Sequence, residues 1–224
     1  MRRLTRWGRV AAVAAMMSFG AGAHAQTTVS TPTPQSVSYG GKTYKTVVIG
    51  GKTWMAENLN YQTASGSWCY DNNSSNCDKY GRLYDWKTAR TVCPAGWHLP
   101  SRNDWDDLGR AAGGERKPDN RDNIDWYGAW YGAGKKLKAR SGWNNLYDGS
   151  DGNGTDDFGF SALPGGGRTS DGGFYRAGNR GYWWTATEGV AGNADNRYMN
   201  YHDDDVDEYL NDKSDGFSVR CVKD

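Results

Sequence analysis

With 224 residues, 27 basic against 26 acidic side chains and a formal charge of +1, the chain has room for one large domain or two small ones, and it lacks the basic excess that points to nucleic acid. Its 31 glycines, roughly twice the usual share, and its 11 tryptophans and 14 tyrosines beside few Ile and Leu exclude a Leu-rich helical bundle and point to a loop-rich globule with an aromatic core.

Arg2, Arg3, Arg6 and Arg9, the apolar run Val10 to Phe19, and Ala23-His24-Ala25 before Gln26 predict a cleaved secretory signal over residues 1–25. The run is too short to span a bilayer, so no transmembrane segment is expected in the mature chain. Removing four arginines and no acid takes the charge from +1 to −3. The residue right after the cleavage point is Gln26 and not cysteine, so a secreted, periplasmic or surface location is expected rather than a lipid anchor. Residues 26–38, rich in Thr, Ser, Pro and Gln, read as a flexible tether to a domain over 39–224.

Thr43 to Ile49, the Gly50-Gly51 turn and Thr53 to Met55 predict an opening hairpin. Leu83, Trp86, Ala89 and Cys93 fall on one stripe of a predicted helix that Pro94 and Gly96 end. Trp97 to Leu99 read as a brief strand. Ser101 and Asp104 then form a capping-box signature for a second helix, whose buried stripe is Trp105, Leu108 and Ala112 and whose stop is Gly113-Gly114. From Gly113 to Gly159 only Lys135 to Arg140 suggest a regular piece, although the tryptophans and tyrosines of this stretch argue for order. Phe158, Phe160, Ala162 and Leu163 resume a buried pattern. Tyr182 to Thr187 predict a core strand; Arg197 to His202, Val206 to Leu210 and Phe217 to Val222 predict three more.

Export makes the four cysteines disulfide candidates. Cys69 and Cys77 are near neighbours, which leaves Cys93 and Cys221. That is one of three connectivities, the one that combines a short loop with a staple at the chain's end.

The motifs KTVVIGGKTWMAENLNY, CYDNNSSNCDKYGRLYDW, CPAGWHLPSRNDW, GTDDFGFSALPGG, GYWWTAT and GFSVRCVKD resemble, in this order, the Fibrobacter succinogenes major paralogous domain. The resemblance covers Tyr39 to Asp224. It implies an α+β fold of C-type-lectin-like architecture: two helices on small twisted antiparallel sheets with long irregular loops, and terminal strands side by side. It also implies a long disulfide corresponding to Cys93 and Cys221, but no reaction and no ligand. The closing GFSVRC after a segment rich in Asn, Asp, Tyr and His further resembles the variable end of proteins diversified by retroelements. Asn200, Tyr201, His202, Asp203, Asp204 and Asp205 are all reachable from an asparagine codon through changed adenines.

Chemistry-bearing residues are few. His98, between Trp97 and Leu99, reads as structural, and no G-x-S-x-G element is present. The lectin-like class implied by the resemblance includes formylglycine-generating enzymes, but their reactive cysteine pair conflicts with two disulfides, so no enzymatic activity is expected. Calcium needs six to eight oxygens. Asp148, Asp151, Asn153, Asp156 and Asp157 are the candidate ligands, with Asp71, Asn72, Asn73, Asn76 and Asp78 a weaker second set. The expected function is binding of a cell-surface protein or glycan, with a structural envelope protein as the alternative. The expected contact residues are Asn193, Asp195, Asn196, Arg197, Tyr198, Asn200, Tyr201, His202, Asp203, Asp205, Asp207 and Tyr209, a mix of rigid aromatic area and adaptable hydrogen bonding. Trp126, Tyr127, Trp130 and Tyr131 lie in the long loop region where such a face would form, but in a chain this poor in Ile and Leu each is expected, individually, to be core.

Overall fold

A computed structural model describes residues 35–117 and 126–224 of the chain. The segment 1–25, expected to be a signal, and most of the expected tether lie outside the described residues. The tether's last part does not: β1 (Ser36–Tyr39) pairs antiparallel with β2 (Lys42–Ile49), so the folded domain includes residues expected to be loose. β2 turns through Gly50 and Gly51, both at positive φ, into β3 (Lys52–Met55), as the β-branched run and the glycine pair dictate.

The cysteine loop follows β4 (Ser67–Trp68) and folds into α1 (Ser74–Tyr80), whose first turn is capped by Asn73 Oδ1 accepting from the Ser75 amide at 3.1 Å. Leu83, expected on a helix stripe, instead lies in β5 (Leu83–Tyr84), paired with β4. The helix α2 covers only Trp86–Ala89, capped by Asp85, so it stops short of Cys93. Sheet pairing outweighs a 3.6-residue pattern too short to nucleate by itself. Trp97 to Leu99 contribute only a single bridge, His98 to Val222, not a strand.

The second helix, α3 (Arg102–Ala111), forms as its signature predicts. Ser101 Oγ accepts from the Asp104 amide at 3.2 Å, and Asp104 Oδ2 accepts from the Ser101 amide at 2.7 Å. β6 (Glu115–Lys117) and β7 (Trp126–Tyr131) pair antiparallel, and α4 (Ala133–Leu137) supplies the regular piece of the long loop region. The side chains of Trp126 and Tyr127 lie outside the described ones. Trp130 is buried, as expected of a core ring, with Nε1 donating to Asp106 at 2.8 Å. β8 (Gly167–Arg168) and β9 (Phe174–Tyr175) make a small hairpin.

β10 (Arg180–Glu188), β11 (Asn193–Asn200) and β12 (Val206–Asp212) form an antiparallel meander. The chain's end divides into β13 (Phe217–Ser218) and β14 (Val222–Lys223). β13 joins an eight-stranded sheet of order β4-β5-β13-β10-β11-β12-β7-β6, while β14 closes a four-stranded sheet, β1-β2-β3-β14. One closing strand was expected, and the split lets the last eight residues link both sheets. Between them Arg220 is fully buried, its Nε and Nη2 donating to Asn58 Oδ1 at 3.2 and 2.7 Å.

The core is aromatic. Trp105 of α3 meets Trp54, Phe160 and Trp183 with ring centroids 5.4, 5.9 and 6.0 Å apart. A second cluster on Tyr44, Tyr84, Trp86, Trp184 and Phe217 surrounds Cys221. Cys69 bonds Cys77, and Cys93 bonds Cys221. The chain is thus an α+β domain, mostly sheet, and no helix among the described residues is long and apolar enough to cross a membrane.

Candidate functional site

Side chains alternate across a strand, so the β10–β12 meander presents two unlike faces. In register, Tyr182 lies opposite Tyr198, Tyr198 opposite Asp207, and Asn196 opposite Tyr209. On this face a cavity of about 280 Å³ opens, lined by Tyr175, Arg180, Tyr182, Tyr198, Tyr209 and Asn211. Its walls are rings in contact: Tyr175 to Tyr182 at 5.6 Å and Tyr182 to Tyr198 at 5.7 Å. Phe217 stacks behind Tyr182 at 4.9 Å and fixes its plane.

The Arg180 guanidinium sits 5.2 Å from the centre of the Tyr198 ring, and its Nη1 donates to Tyr182 Oη at 3.4 Å. Burial pushes the phenols of Tyr175, Tyr182 and Tyr198 above their ordinary pKa, so all three stay neutral. Asn211 is fixed on both sides: its Oδ1 accepts from Asn196 at 2.9 Å and its Nδ2 donates to Asp215 at 3.2 Å. Such a site offers flat apolar faces, neutral hydroxyls and one cation.

The opposite face of the same strands carries charge that never meets solvent. Asp195, Arg197 and Glu208 are all fully buried. Arg197 Nη1 donates to both Asp195 oxygens at 2.9 Å. Glu208 meets Arg102 at 2.8 Å, Arg116 at 2.9 Å and Arg197 at 3.4 Å. Burial raises the Glu208 pKa despite these arginines. A buried ion cluster of this kind specifies an arrangement more than it adds stability.

The expected contact residues therefore separate. Tyr198 and Tyr209 line the cavity, and Asp207 lies beside Tyr198. Asp195, Asn196, Arg197 and Asn200 are buried, which corrects their assignment as contact residues. They are engaged inside the fold, where Asn196 Nδ2 donates to the Tyr209 carbonyl at 2.9 Å and Arg197 Nη1 donates to Asp195, although Asn196 Oδ1 and Arg197 Nε are buried without a hydrogen-bond partner. Tyr201, His202, Asp203 and Asp205 belong to the β11–β12 turn, which Lys138 pins by donating to the carbonyls of Asn200 and Asp203 at 3.0 and 2.7 Å. His202 is exposed, 3.3 Å from Asp203. Asn193 lies at the far end of β11, opposite Asp212.

Tyr175, Arg180, Tyr182 and Asn211 were not anticipated. The signal available for them was the alternation itself, since Arg180, Tyr182, Tyr198, Tyr209 and Asn211 share one parity once β10, β11 and β12 are paired.

The proposed calcium ligands do not converge: no three of Asp148, Asp151, Asp156 and Asp157 bring oxygens within 4.8 Å of one another. Asp148, Asp151 and Asp156 cap turns of their own instead. Asp148 accepts from the Ser150 amide at 2.9 Å, Asp151 from the Asn153 amide at 2.8 Å and Asp156 from the Ser161 amide at 2.7 Å, while Asn153 Oδ1 accepts from the Trp143 amide at 2.9 Å. In the second set, Asn73 caps α1 and Asn76 Nδ2 donates to the Tyr70 carbonyl at 3.0 Å. The convergent group among the described residues is His98, Asp104 and Asp224. There the Lys52 ammonium is already bonded to Asp104 and lies 3.1 Å from Asp224, so a side-chain cation neutralises the acids.

Neither a curated protein nor a solved structure gave a significant match to the chain. A model of the Fibrobacter succinogenes major domain matches residues 47–223, which include both disulfides, the capped helix α3 and the whole tyrosine-lined face. The chain belongs to the Fibrobacter succinogenes major domain family.

Proposed function

We propose that this chain is an exported recognition domain that holds a cell-surface protein or glycan on the β10–β12 face without transforming it. The observation that carries the reading is the cavity walled by Tyr175, Tyr182, Tyr198 and Tyr209. Rigid, amphipathic rings supply contact area at low entropic cost, and buried phenols keep their hydrogen-bonding hydroxyls. Export is supported by the pattern of residues 1–25 and by two disulfides, which persist in oxidising compartments.

A C-type-lectin-like architecture is supported by the pairing of β14 with β3, by the Cys93–Cys221 staple and by the long irregular stretch between α4 and β10. In that reading the scaffold is rigid and the sheet face is free to differ. If the segment is diversified by a retroelement, codons for Tyr198, Tyr201, His202, Asp207 and Tyr209 vary across a population, and those for Asp195, Arg197 and Glu208 stay constant.

Glycan and protein arrays probed with the wild-type chain and with Tyr198→Ala test the binding role. The reading expects a ligand whose signal falls in the variant and persists with chelator. Arrays with no reproducible ligand, or ligands indifferent to Tyr198→Ala, contradict it and favour a structural envelope role.

A further inference from the structure

We infer that the ligand of the tyrosine-walled cavity is an acidic sugar, its carboxylate or sulfate held by Arg180 and its ring laid against Tyr198 and Tyr182. The inference rests on the binding role proposed for the same cavity and adds the chemical class.

Arg180 is the first argument. A guanidinium carries five N–H donors in a flat fork that matches a carboxylate or sulfate. Here one of them reaches Tyr182 Oη at 3.4 Å, and among the described residues no acid lies within ion-pair distance of it. The cation is partly enclosed, leaning on the Tyr198 ring, so its remaining donors are held at the cavity rather than swept through solvent. The nearby acids are otherwise engaged. Asp207 interacts with the Tyr198 phenol, and Asp215 accepts from the Ser170 amide at 2.9 Å and from Asn211 at 3.2 Å. Asp203 holds the His202 ring at 3.3 Å.

The walls are the second argument. Neutral phenols donate to and accept from sugar hydroxyls without repelling an anion, and ring faces pack against the C–H face of a pyranose. Size is the third. About 280 Å³ lies just below the roughly 300–1,000 Å³ of small-molecule sites, which suits one sugar ring better than a peptide. A protein partner would instead need a patch of roughly 800 Å².

Another cationic cleft, lined by Trp86, Lys87, Arg90, Thr91 and Lys213, serves as the internal control. Lys213 there is already paired with Glu188.

The test is calorimetric titration of the full mature chain with paired probes: oligogalacturonate against its methyl ester, oligoglucuronate against its methyl ester, and sulfated against desulfated galactose oligomers. At least one acidic probe is expected to bind about tenfold or more tighter than its neutral partner, as one charge-assisted hydrogen bond entails. The carboxylate and sulfate arms identify which anion is used. Arg180→Gln is expected to erase the preference while a neutral probe still binds weakly, and Arg180→Lys to restore part of it, since the charge returns without the fork. Thermal melts of both variants check the fold, and the lysine variant decides the matter if the glutamine variant does not fold.

Acidic probes that bind no better than their partners, or not at all at millimolar concentration, overturn the inference. So does a preference that survives Arg180→Gln and vanishes with Arg90→Gln, which would place it at the Trp86 cleft. Neutral ligands that bind as tightly as their acidic partners and are lost on Tyr198→Ala defeat the acidic-sugar inference alone, whereas ligands all indifferent to Tyr198→Ala defeat the binding role as well.

Discussion

Replacing Cys93 and Cys221 together by alanine removes a link between residues 128 apart, whereas the Cys69–Cys77 pair closes a span of 8. Loop-closure entropy grows with the logarithm of span, so the chain-entropy model assigns about 5 kcal/mol to the long staple and about 2.5 kcal/mol to the short one at 25 °C. A domain's whole stability is only about 5–15 kcal/mol, so the first loss is a large fraction of it and the second is survivable. Both staples include a buried cysteine, Cys221 and Cys77, so the packing cost of alanine is comparable and the difference reports the span. Urea unfolding of the oxidised chain and the two double variants, followed by tryptophan fluorescence, measures it. The long-staple variant is expected to have the lower midpoint by far, and the larger m-value because its unfolded chain expands more. A short-loop variant that loses as much stability as the long-loop one refutes the reasoning.

Three further substitutions probe the scaffold. Burial alone would raise the pKa of Asp104, but bonds from Lys52 and Ser101 outweigh it and leave it below its ordinary value. The ionised carboxylate therefore stabilises above roughly pH 3.9, its unfolded value, and this contribution is lost as pH falls through the lower folded value. Asp104→Asn should cost about 1–2 kcal/mol at pH 7, with the gap to wild type closing in melts as pH falls below about 4; a gap that does not change with pH counts against it. Gly109→Ala should destabilise by about 1–3 kcal/mol in urea titration, because its Cβ would stand 2.5 Å from the Trp130 ring. Helix propensity alone favours alanine by about 1 kcal/mol, so a stabilised variant would show that the contact yields easily. Asp195→Ala strands the buried Arg197 and is expected to cost about 3–5 kcal/mol, read by the same titration; a loss under about 1 kcal/mol would mean that Glu208 and Asp106 suffice as partners.

What the sequence made legible is what local physics decides. The Ser101–Asp104 cap, the stripe of Trp105, Leu108 and Ala112 and the Gly50-Gly51 hairpin each need only neighbours a few positions away. Leu83 was misread because its partners, Trp68 and Ser218, come from distant segments, and sheet pairing overrode its helical spacing. The candidate site was half legible for a related reason. Tyr198 and Tyr209 stood out by composition, but Asp195, Arg197 and Glu208 are charged residues in a segment read as a contact surface. Only the packing of α3, which brings Arg102 and Asp106 over that face, shows them to be interior. Arg180 and Tyr182 were hidden because the aromatic strand around them reads as uniformly core, whereas Trp183 and Trp184 point to opposite sides and only one side is open at its end.

Chemical-shift mapping on the isotopically labelled domain over residues 26–224 tests the central claim most directly, using whichever array ligand or acidic oligosaccharide binds. The largest changes are expected at Tyr175, Arg180, Tyr182, Tyr198, Tyr209 and Asn211, the residues that line one cavity. Changes centred on the β11–β12 turn at Tyr201 to Asp205, or on the Trp86 cleft, with the tyrosine face unmoved, would contradict it.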